Sequence, residues 1–101
     1  MTTHMIKHIG MLTLREDATA AQADAIVAGL HALKDHVPAV ASLKVGHDLA
    51  LKEGNADIFF EVGFASTDDW RTYQAHPAHV ALVRDHIAPA IASKAFVQVE
   101  G

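Results

Sequence analysis

The order of strand-like and helix-like segments predicts an α+β fold with the arrangement β-α-β-β-α-β. Two observations carry this prediction. Apolar residues alternate with a period of two in residues 5–14 and 57–65, and they recur at helical spacing between residues 23 and 37. A chain of 101 residues has room for one compact domain, so we expect a single domain over residues 1–101.

The first strand and the first helix are predicted from residues 5–37. In the segment MIKHIGMLTL, one face carries His8, Gly10, Leu12 and Leu14, and the other carries Lys7, Ile9, Met11 and Thr13. Asp17 or Thr19 is suited to cap the helix that follows. The helix must end before Pro38, because proline disfavours helical geometry in the residue before it.

The middle of the chain predicts two further strands. Residues 42–48 alternate around Leu43 and Val45, and the polar loop LKEGNAD follows. The strongest strand pattern lies in residues 57–65, where one face would be wholly apolar: Ile58, Phe60, Val62 and Phe64. Phe59 and Glu61 point to the opposite face.

The last third of the chain predicts two helices and a final strand. Ser66 or Thr67 is suited to cap a short helix that runs through Tyr73. Pro77 is suited to begin another helix, which we expect to reach about Ile91. Residues 94–100, KAFVQVE, predict the last strand.

This order of elements is typical of the ferredoxin-like fold, in which helices cover one face of a four-stranded antiparallel sheet. The uncovered face would carry Ile9, Met11 and Phe59, which form an apolar patch that a monomer would expose to water. We therefore expect a homodimer that pairs through this face.

Composition and charge exclude several classes of function. The net charge is −4 and lysine and arginine do not cluster, which argues against binding to nucleic acid or to an anionic membrane. No segment approaches the ~20 apolar residues of a membrane span, and no signal peptide is recognisable. Without cysteine, disulfides and thiol chemistry are excluded. We expect a cytoplasmic protein.

Eight histidines are the unusual feature of the composition, because imidazole titrates near neutral pH and binds metals. Four of them fall at a chain end, on the outer side of the first helix or near a loop, where we expect solvated side chains. These are His4, His31, His36 and His47.

The segment YQAHPAHV, residues 73–80, combines a helix break with two histidines. His76 precedes Pro77 and cannot comfortably continue the preceding helix. His79 would lie in the first turn of the next helix, where the positive end of the helix dipole favours the neutral ring. Its spacing places it on the inner face of that helix, so it is a candidate general base or, alternatively, a structural core histidine.

Three segments carry a resemblance to a known family: IKHIGMLTL at 6–14, FEVGFAS at 60–66, and the motif W-x-x-Y-x-x-H-P-x-H at 70–79. Over nearly the whole chain this pattern resembles the stress-responsive A/B barrel domain (Dabb) family. The resemblance implies a ferredoxin-like domain that pairs into a dimeric α+β barrel. A polyketide cyclase of that family needs no cofactor, and its catalytic tyrosine and histidine are similar to Tyr73 and His79, with His8 similar to a further pocket histidine.

The resemblance also implies a ligand pocket between the sheet and the helices. We expect its lining to comprise Gly10, Leu12, Ile26, Val27, Leu30, Phe60, Val62 and His76. The cyclase has aromatic residues where the first helix here has aliphatic ones, so a different substrate is expected. Gln98 is the nearest counterpart of the carboxylate that orients the cyclase histidine.

Three functional classes follow from these residues. The first is a dimer that binds a small, partly apolar molecule without turnover. The second is a cyclase, isomerase or lyase that acts on a β-keto or aromatic compound without a cofactor, with His79 as base and Tyr73 as hydrogen-bond donor. The third is a metal site formed by His76 and His79 with His8 or Glu61, although no complete ligand set has diagnostic spacing and no metal is expected.

Overall fold

The computed structural model describes residues 5–101, and the predicted solvated residue His4 lies outside them. The described elements are β1 (Ile6–Leu14), α1 (Ala20–His36), β2 (Ser42–His47), β3 (Ile58–Phe64), α2 (Thr67–Ala75), α3 (Pro77–Leu82), a π-helical segment (Val83–Ile87) and β4 (Ile91–Glu100). The predicted β-α-β-β-α-β order is confirmed, with the second helical unit divided into α2, α3 and the π-helical segment.

The four strands form one antiparallel sheet in the order β2-β3-β1-β4. β1 lies inside the sheet and pairs with β3 on one side and with β4 on the other. The register places His8 between Val62 of β3 and Gln98 of β4. Because side chains alternate between the two faces of a strand, all three point to the same face.

The hydrophobic core lies between this face and the helices. It consists of these buried apolar side chains: Leu12, Ile26, Leu30, Leu33, Val37, Val40, Ile58, Phe60, Val62, Phe64, Tyr73, Leu82, Ile87 and Ala90. Burial of one such large apolar side chain contributes roughly 1.5 to 3 kcal/mol. The core therefore fixes the helices against the sheet and determines where the side chains of the site lie.

The helix boundaries have the predicted physical causes. Of the two candidate caps of α1, Thr19 is the N-cap, and it forms a capping box with Gln22. The last helical residue is His36, so α1 ends before Pro38 as expected. Ser66 caps α2 by accepting a hydrogen bond from the backbone N–H of Asp69 at 3.1 Å.

The expected helix from Pro77 to about Ile91 is wrong at its C-terminal end. α3 ends at Leu82, and the following turn is π-helical, with the Ala88 N–H donating to the carbonyl of Val83 at 2.8 Å. β4 begins at Ile91 rather than at residue 94 because β1 supplies a partner for it at Leu14, past a bulge.

The face of the sheet away from the helices is partly apolar. Met11, Val97 and Val99 are 47%, 49% and 41% exposed, while Ile9 and Phe59 on the same face are half-buried. Two of the five side chains come from β4, which extends the patch predicted from the first and third strands. Among residues 5–101, no helix is long and apolar enough to cross a membrane.

Within residues 5–101, the histidines expected on the surface are exposed. His31 and His36 lie on the outer side of α1, and His47 lies at the end of β2 with its Nε2 atom 3.3 Å from Oδ1 of Asp24. His86 in the π-helical segment is exposed as well. Only the histidines near the helix-facing side of β1 and at the start of α3 remain as candidates for a site.

Candidate functional site

The junction between α2 and α3 is built by His76 and Pro77. His76 has extended backbone angles, φ −65° and ψ 135°, and its Nδ1 atom accepts a hydrogen bond from the Ala78 N–H at 3.0 Å. Its imidazole is therefore the N-cap of α3, and Pro77 occupies the first helical position, where a missing N–H costs nothing. This junction turns the chain so that His79 faces the sheet across from Tyr73.

A cavity of about 330 Å³ lies between the sheet and the α2–α3 region. Its walls are mainly aromatic and aliphatic, with polar groups at one side; the lining comprises His8, Leu12, Leu30, Phe60, Trp70, Tyr73, Gln74, His79, Val83, Ile87, Lys94, Phe96 and Gln98. A larger and more open depression of about 460 Å³ borders Met11 and Phe59 on the other face of the sheet. The candidate catalytic side chains all lie at the smaller, more enclosed cavity.

The structure brings together the three candidate catalytic residues, His8, Tyr73 and His79, at this cavity. Of the expected lining residues, Leu12, Leu30 and Phe60 are also present there.

Five expected lining residues do not line the cavity: Gly10, Ile26, Val27, Val62 and His76. Ile26 and Val62 are fully buried in the core, and Val27 packs against it. Gly10 lies behind the aromatic wall, because a Cβ there would overlap the Phe60 ring. His76 is held at the helix junction by its capping bond.

His8 is buried at the centre of the site, with 4% of its surface exposed. Four aromatic rings surround it at centroid distances of 5.6 to 6.3 Å: Phe60, Trp70, Tyr73 and Phe96. Burial, with a smaller contribution from His79, lowers the pKa of His8 from 6.5 to about 4. The ring is therefore neutral at pH 7.

Gln98 fixes the tautomer of this neutral ring. Its amide Nε2 donates to Nδ1 of His8 at 2.9 Å. Because an amide nitrogen only donates, Nδ1 is the acceptor and Nε2 of His8 carries the proton. Gln98 was expected to correspond to the group that orients His79, but in the structure it orients His8.

Tyr73 and His79 form the closest ring pair of the site, with centroids 4.4 Å apart. Tyr73 is 1% exposed and also packs on Phe64. Burial raises the pKa of the Tyr73 phenol well above its usual value. The phenol is therefore protonated at neutral pH and is a potential hydrogen-bond donor.

His79 has a buried ring nitrogen without a partner. Its Nδ1 atom makes no hydrogen bond with residues 5–101. Burial lowers the pKa of His79, and the backbone of Gln74 opposes this change to a smaller extent. Burial is the larger of the two influences, so the pKa of His79 lies below its usual value and the ring is neutral at pH 7. A neutral imidazole that lines a cavity can exchange a proton with a bound molecule.

The sequence analysis missed several residues of the cavity. Trp70 forms part of the wall, and its buried Nε1 atom has no hydrogen-bond partner within the described chain. Lys94 and Phe96 reach the cavity from β4, because they lie opposite Leu12 and Gly10 of β1. The alternation within KAFVQVE could have identified both, since Gln98 had already been placed near the site.

The described residues contain no group of three histidine, cysteine, aspartate or glutamate side chains arranged to hold a metal ion. His76 uses Nδ1 to cap α3, and Glu61 points to the face of the sheet opposite His8. The proposed combination of these residues with His79 is therefore not assembled in the structure.

The sequence model of the Stress responsive A/B Barrel Domain family, Dabb, matches residues 6–100. The chain belongs to this family. Among proteins with curated descriptions, none matches the chain in sequence. Structural similarity of this Dabb domain to solved proteins is nevertheless extensive.

A dimeric ferredoxin-like protein of unknown function from Thermobifida fusca is 29% identical, with a TM-score of 0.89 over 99% of this chain and 93% of that one. A dimeric ferredoxin-like protein of unknown function from Bacteroides fragilis is 27% identical, with a TM-score of 0.85 over 96% of both chains. The hydroxynitrile lyase from Passiflora edulis has a TM-score of 0.86 at 18% identity, over 99% of this chain and 95% of that one. At that identity, the similarity to the lyase shows the fold alone.

Proposed function

We propose that this Dabb protein is a homodimer whose cavity between sheet and helices binds a small, partly apolar molecule. The observation that carries the proposal is the cavity itself, which combines apolar walls with the side chains of His8, Tyr73 and His79. Ligand pockets in proteins are typically apolar concavities of roughly 300 to 1,000 Å³ with a few convergent polar groups. The cavity of about 330 Å³ is at the small end of that range.

Two features support a site for a ligand rather than a packing defect. The core beside the cavity is buried, with Ile26 and Val62 fully inaccessible, and the polar side chains of His8, Tyr73 and His79 converge on the open space. Buried polar atoms in proteins usually have hydrogen-bond partners, yet Nε1 of Trp70 and Nδ1 of His79 have none among residues 5–101. Both residues line the cavity, so a bound molecule with suitable oxygen or nitrogen atoms would satisfy them once their side chains turn toward it.

Filling the cavity tests this proposal directly. Val83 lines the cavity, so we expect Val83→Phe to occupy part of it and to abolish binding. Val80 lies on α3, is 45% exposed and does not line the cavity, so Val80→Phe is the matched control. The probes are acetophenone, cyclohexanecarboxamide and cyclohexanecarboxylate. Their binding to the folded protein is measured by ligand-observed NMR. Failure of all three to bind, or equal binding by both variants, would contradict the proposal.

A second candidate function is proton-transfer catalysis at the same cavity, supported by the neutral His79 ring that lies beside Tyr73 at the cavity wall. His79 would take a proton from the substrate, while the phenol of Tyr73 would donate to the oxygen on which negative charge develops. On a β-keto ester, the base removes the proton of the carbon between the two carbonyls, and its electron pair forms an enolate. On a hydroxynitrile, the base removes the O–H proton, the C=O bond forms and cyanide leaves with the electrons of the broken C–C bond.

Two probes test this second candidate. Exchange of the α-proton of ethyl 2-methylacetoacetate in D₂O reports enolate formation, and release of benzaldehyde from mandelonitrile reports lyase activity. We expect His79→Gln to lower any enzymatic rate by about 10²-fold or more, as is typical of loss of a general base. His31→Gln on the exposed side of α1 is the control. Rates equal to the uncatalysed ones for both probes, or an unchanged rate in His79→Gln, would argue against catalysis by this residue.

The proposed dimer pairs the open faces of two sheets. Its support is the exposed apolar group formed by Met11, Val97 and Val99, together with the dimeric state of the two ferredoxin-like proteins from Thermobifida fusca and Bacteroides fragilis. β4 lies at the edge of the sheet and is largely exposed, and its alternate side chains reach the cavity. Burial of Val97 and Val99 in an interface would therefore hold β4, and with it one wall of the cavity, in place.

Sedimentation velocity tests the dimer. Met11→Glu combined with Val97→Glu places two charges on the open face, which we expect to yield a folded monomer at micromolar concentration because buried, unpaired charges are costly. The control is Val80→Glu on α3, away from that face. A wild-type protein that sediments as a monomer, or a double variant that remains a dimer, would contradict this arrangement.

A further inference from the structure

The cavity has an unbalanced positive charge. Among residues 5–101, Lys94 is the one lysine or arginine that lines it, and no aspartate or glutamate does. The two lining histidines are neutral at pH 7. The local charge is therefore opposite in sign to the net charge of the protein, which is −4.

Lys94 is placed by β4 and by an aromatic neighbour. It lies opposite Leu12 in the register with β1, on the strand face that also carries Phe96 and Gln98. Its Nζ atom is 5.6 Å from the centroid of the Phe96 ring, a distance at which a cation interacts favourably with an aromatic face. Within residues 5–101, Lys94 has no ion pair with a carboxylate.

Several polar atoms around the cavity are hydrogen-bond donors, beside the acceptor oxygens of Gln74 and Gln98. Nε1 of Trp70 is a donor without a partner, and Nε2 of His8 carries a proton because Gln98 donates to the other ring nitrogen. The Tyr73 phenol is a further donor. A molecule with oxygen acceptors matches these donors, and an anion would also balance the charge of Lys94.

We propose that the cavity selects a monocarboxylate with a compact apolar body, and that Lys94 is the residue that determines this preference. The proposal rests on the proposed binding function. The carboxylate lies near Nζ of Lys94, at the rim, and the apolar body lies against Phe60, Phe96 and Trp70. A single lysine balances a single negative charge, and the apolar walls disfavour a second one.

A matched pair of ligands isolates the contribution of charge. Cyclohexanecarboxylate and cyclohexanecarboxamide have nearly the same shape, and neither absorbs where tryptophan is excited. Trp70 is the only tryptophan of the chain and lines the cavity, so its emission reports occupancy. We expect the carboxylate to bind roughly 5- to 10-fold more tightly than the amide. This difference in affinity is somewhat larger than a fully exposed ion pair usually provides.

Variants then test the role of Lys94. Lys94→Met keeps the length of the side chain and removes its charge, so we expect it to abolish the preference for the carboxylate while amide binding persists. Lys94→Arg should retain the preference. Lys34→Met removes a charge from the exposed side of α1 and should leave both affinities unchanged. The preference should also weaken at high salt, because ions screen partly exposed charges.

The possible outcomes separate this proposal from the one on which it rests. If the amide binds as tightly as the carboxylate, the cavity is a binding site but its proposed selectivity is wrong. If the preference survives in Lys94→Met, another group determines it and the role of Lys94 is wrong. If neither ligand binds to the wild-type protein or to Lys94→Arg, both the selectivity and the binding function of this cavity are contradicted for this class of molecule.

Discussion

Acid should destabilise this protein through His8. The folded structure holds this ring neutral among four aromatic side chains and lowers its pKa from 6.5 to about 4, chiefly by burial. In the unfolded chain the pKa returns to about 6.5. Between these values the unfolded state binds a proton that the folded state does not, so the free energy of unfolding falls as the pH decreases from about 6.5 towards 4.

The size of the effect follows from the same values. One pKa unit corresponds to about 1.4 kcal/mol, which gives at most about 2.5 kcal/mol lost between pH ~7.5 and pH ~4.5. His8 borders a cavity, and its surroundings can relax when the ring is charged. We therefore expect the free energy of unfolding to fall by about 1.5 to 2.5 kcal/mol between the two pH values. His79 has a pKa lowered by burial as well, and it changes stability in the same direction.

Urea unfolding of wild type and His8→Gln at the two pH values measures this contribution. Carboxylates also titrate in this range, but they are common to both proteins, so the difference between the two pH dependences isolates His8. His31→Gln, which changes an exposed histidine on α1, is the matched control and should follow wild type. Protein concentration must be held constant, because a dimer is more stable at higher concentration.

Loss of the His8 ring also removes its contacts with Phe60, Trp70 and Phe96, so His8→Gln is expected to be less stable at both pH values. The contribution of His8 ionisation is therefore judged only from how the free energy of unfolding changes with pH in each protein. If the wild type and His8→Gln lose stability equally on acidification, within about 0.5 kcal/mol, then the folded protein accommodates a charged ring at this position, and the attribution of its low pKa to burial is wrong.

Three further results are expected. His76→Ala should lower the free energy of unfolding by about 0.5 to 2 kcal/mol because it removes the cap of α3. The affinity of the cavity for the probes should not change. A lower affinity in fully folded His76→Ala protein would place His76 in the site. Gly10→Ala should cost about 1 to 3 kcal/mol and weaken probe binding, because its Cβ would displace the rings of Phe60 and Phe96; unchanged stability and unchanged probe binding would contradict this steric argument. The melting temperature should not change in EDTA, since residues 5–101 assemble no metal-ligand cluster, and a marked decrease would reveal a metal.

The architecture could be predicted from the sequence because it depends on interactions between residues that are close together in the chain. Period-two alternation identifies the strands, and the caps at Thr19 and Ser66 fix where α1 and α2 begin. The break before Pro77 follows from the covalent structure of proline, and it makes His76 a cap while turning His79 inward. These features depend on residues a few positions apart, so they can be derived from sequence alone.

The composition of the site depends on contacts that local patterns do not contain. Gln98 meets His8 across 90 residues of sequence, and only the register between β1 and β4 determines that it orients this ring rather than His79. The same register brings Lys94 and Phe96 to the cavity wall.

The core likewise decided which apolar residues border the cavity. Ile26 and Val62 point toward the helix–sheet interface as predicted, but close packing buries them fully beneath the cavity. The sequence by itself determined which face of each element is apolar, because alternation and helical spacing are local. Only the tertiary structure decided where that apolar interior stays open, because an unfilled volume depends on how side chains distant in sequence fit together.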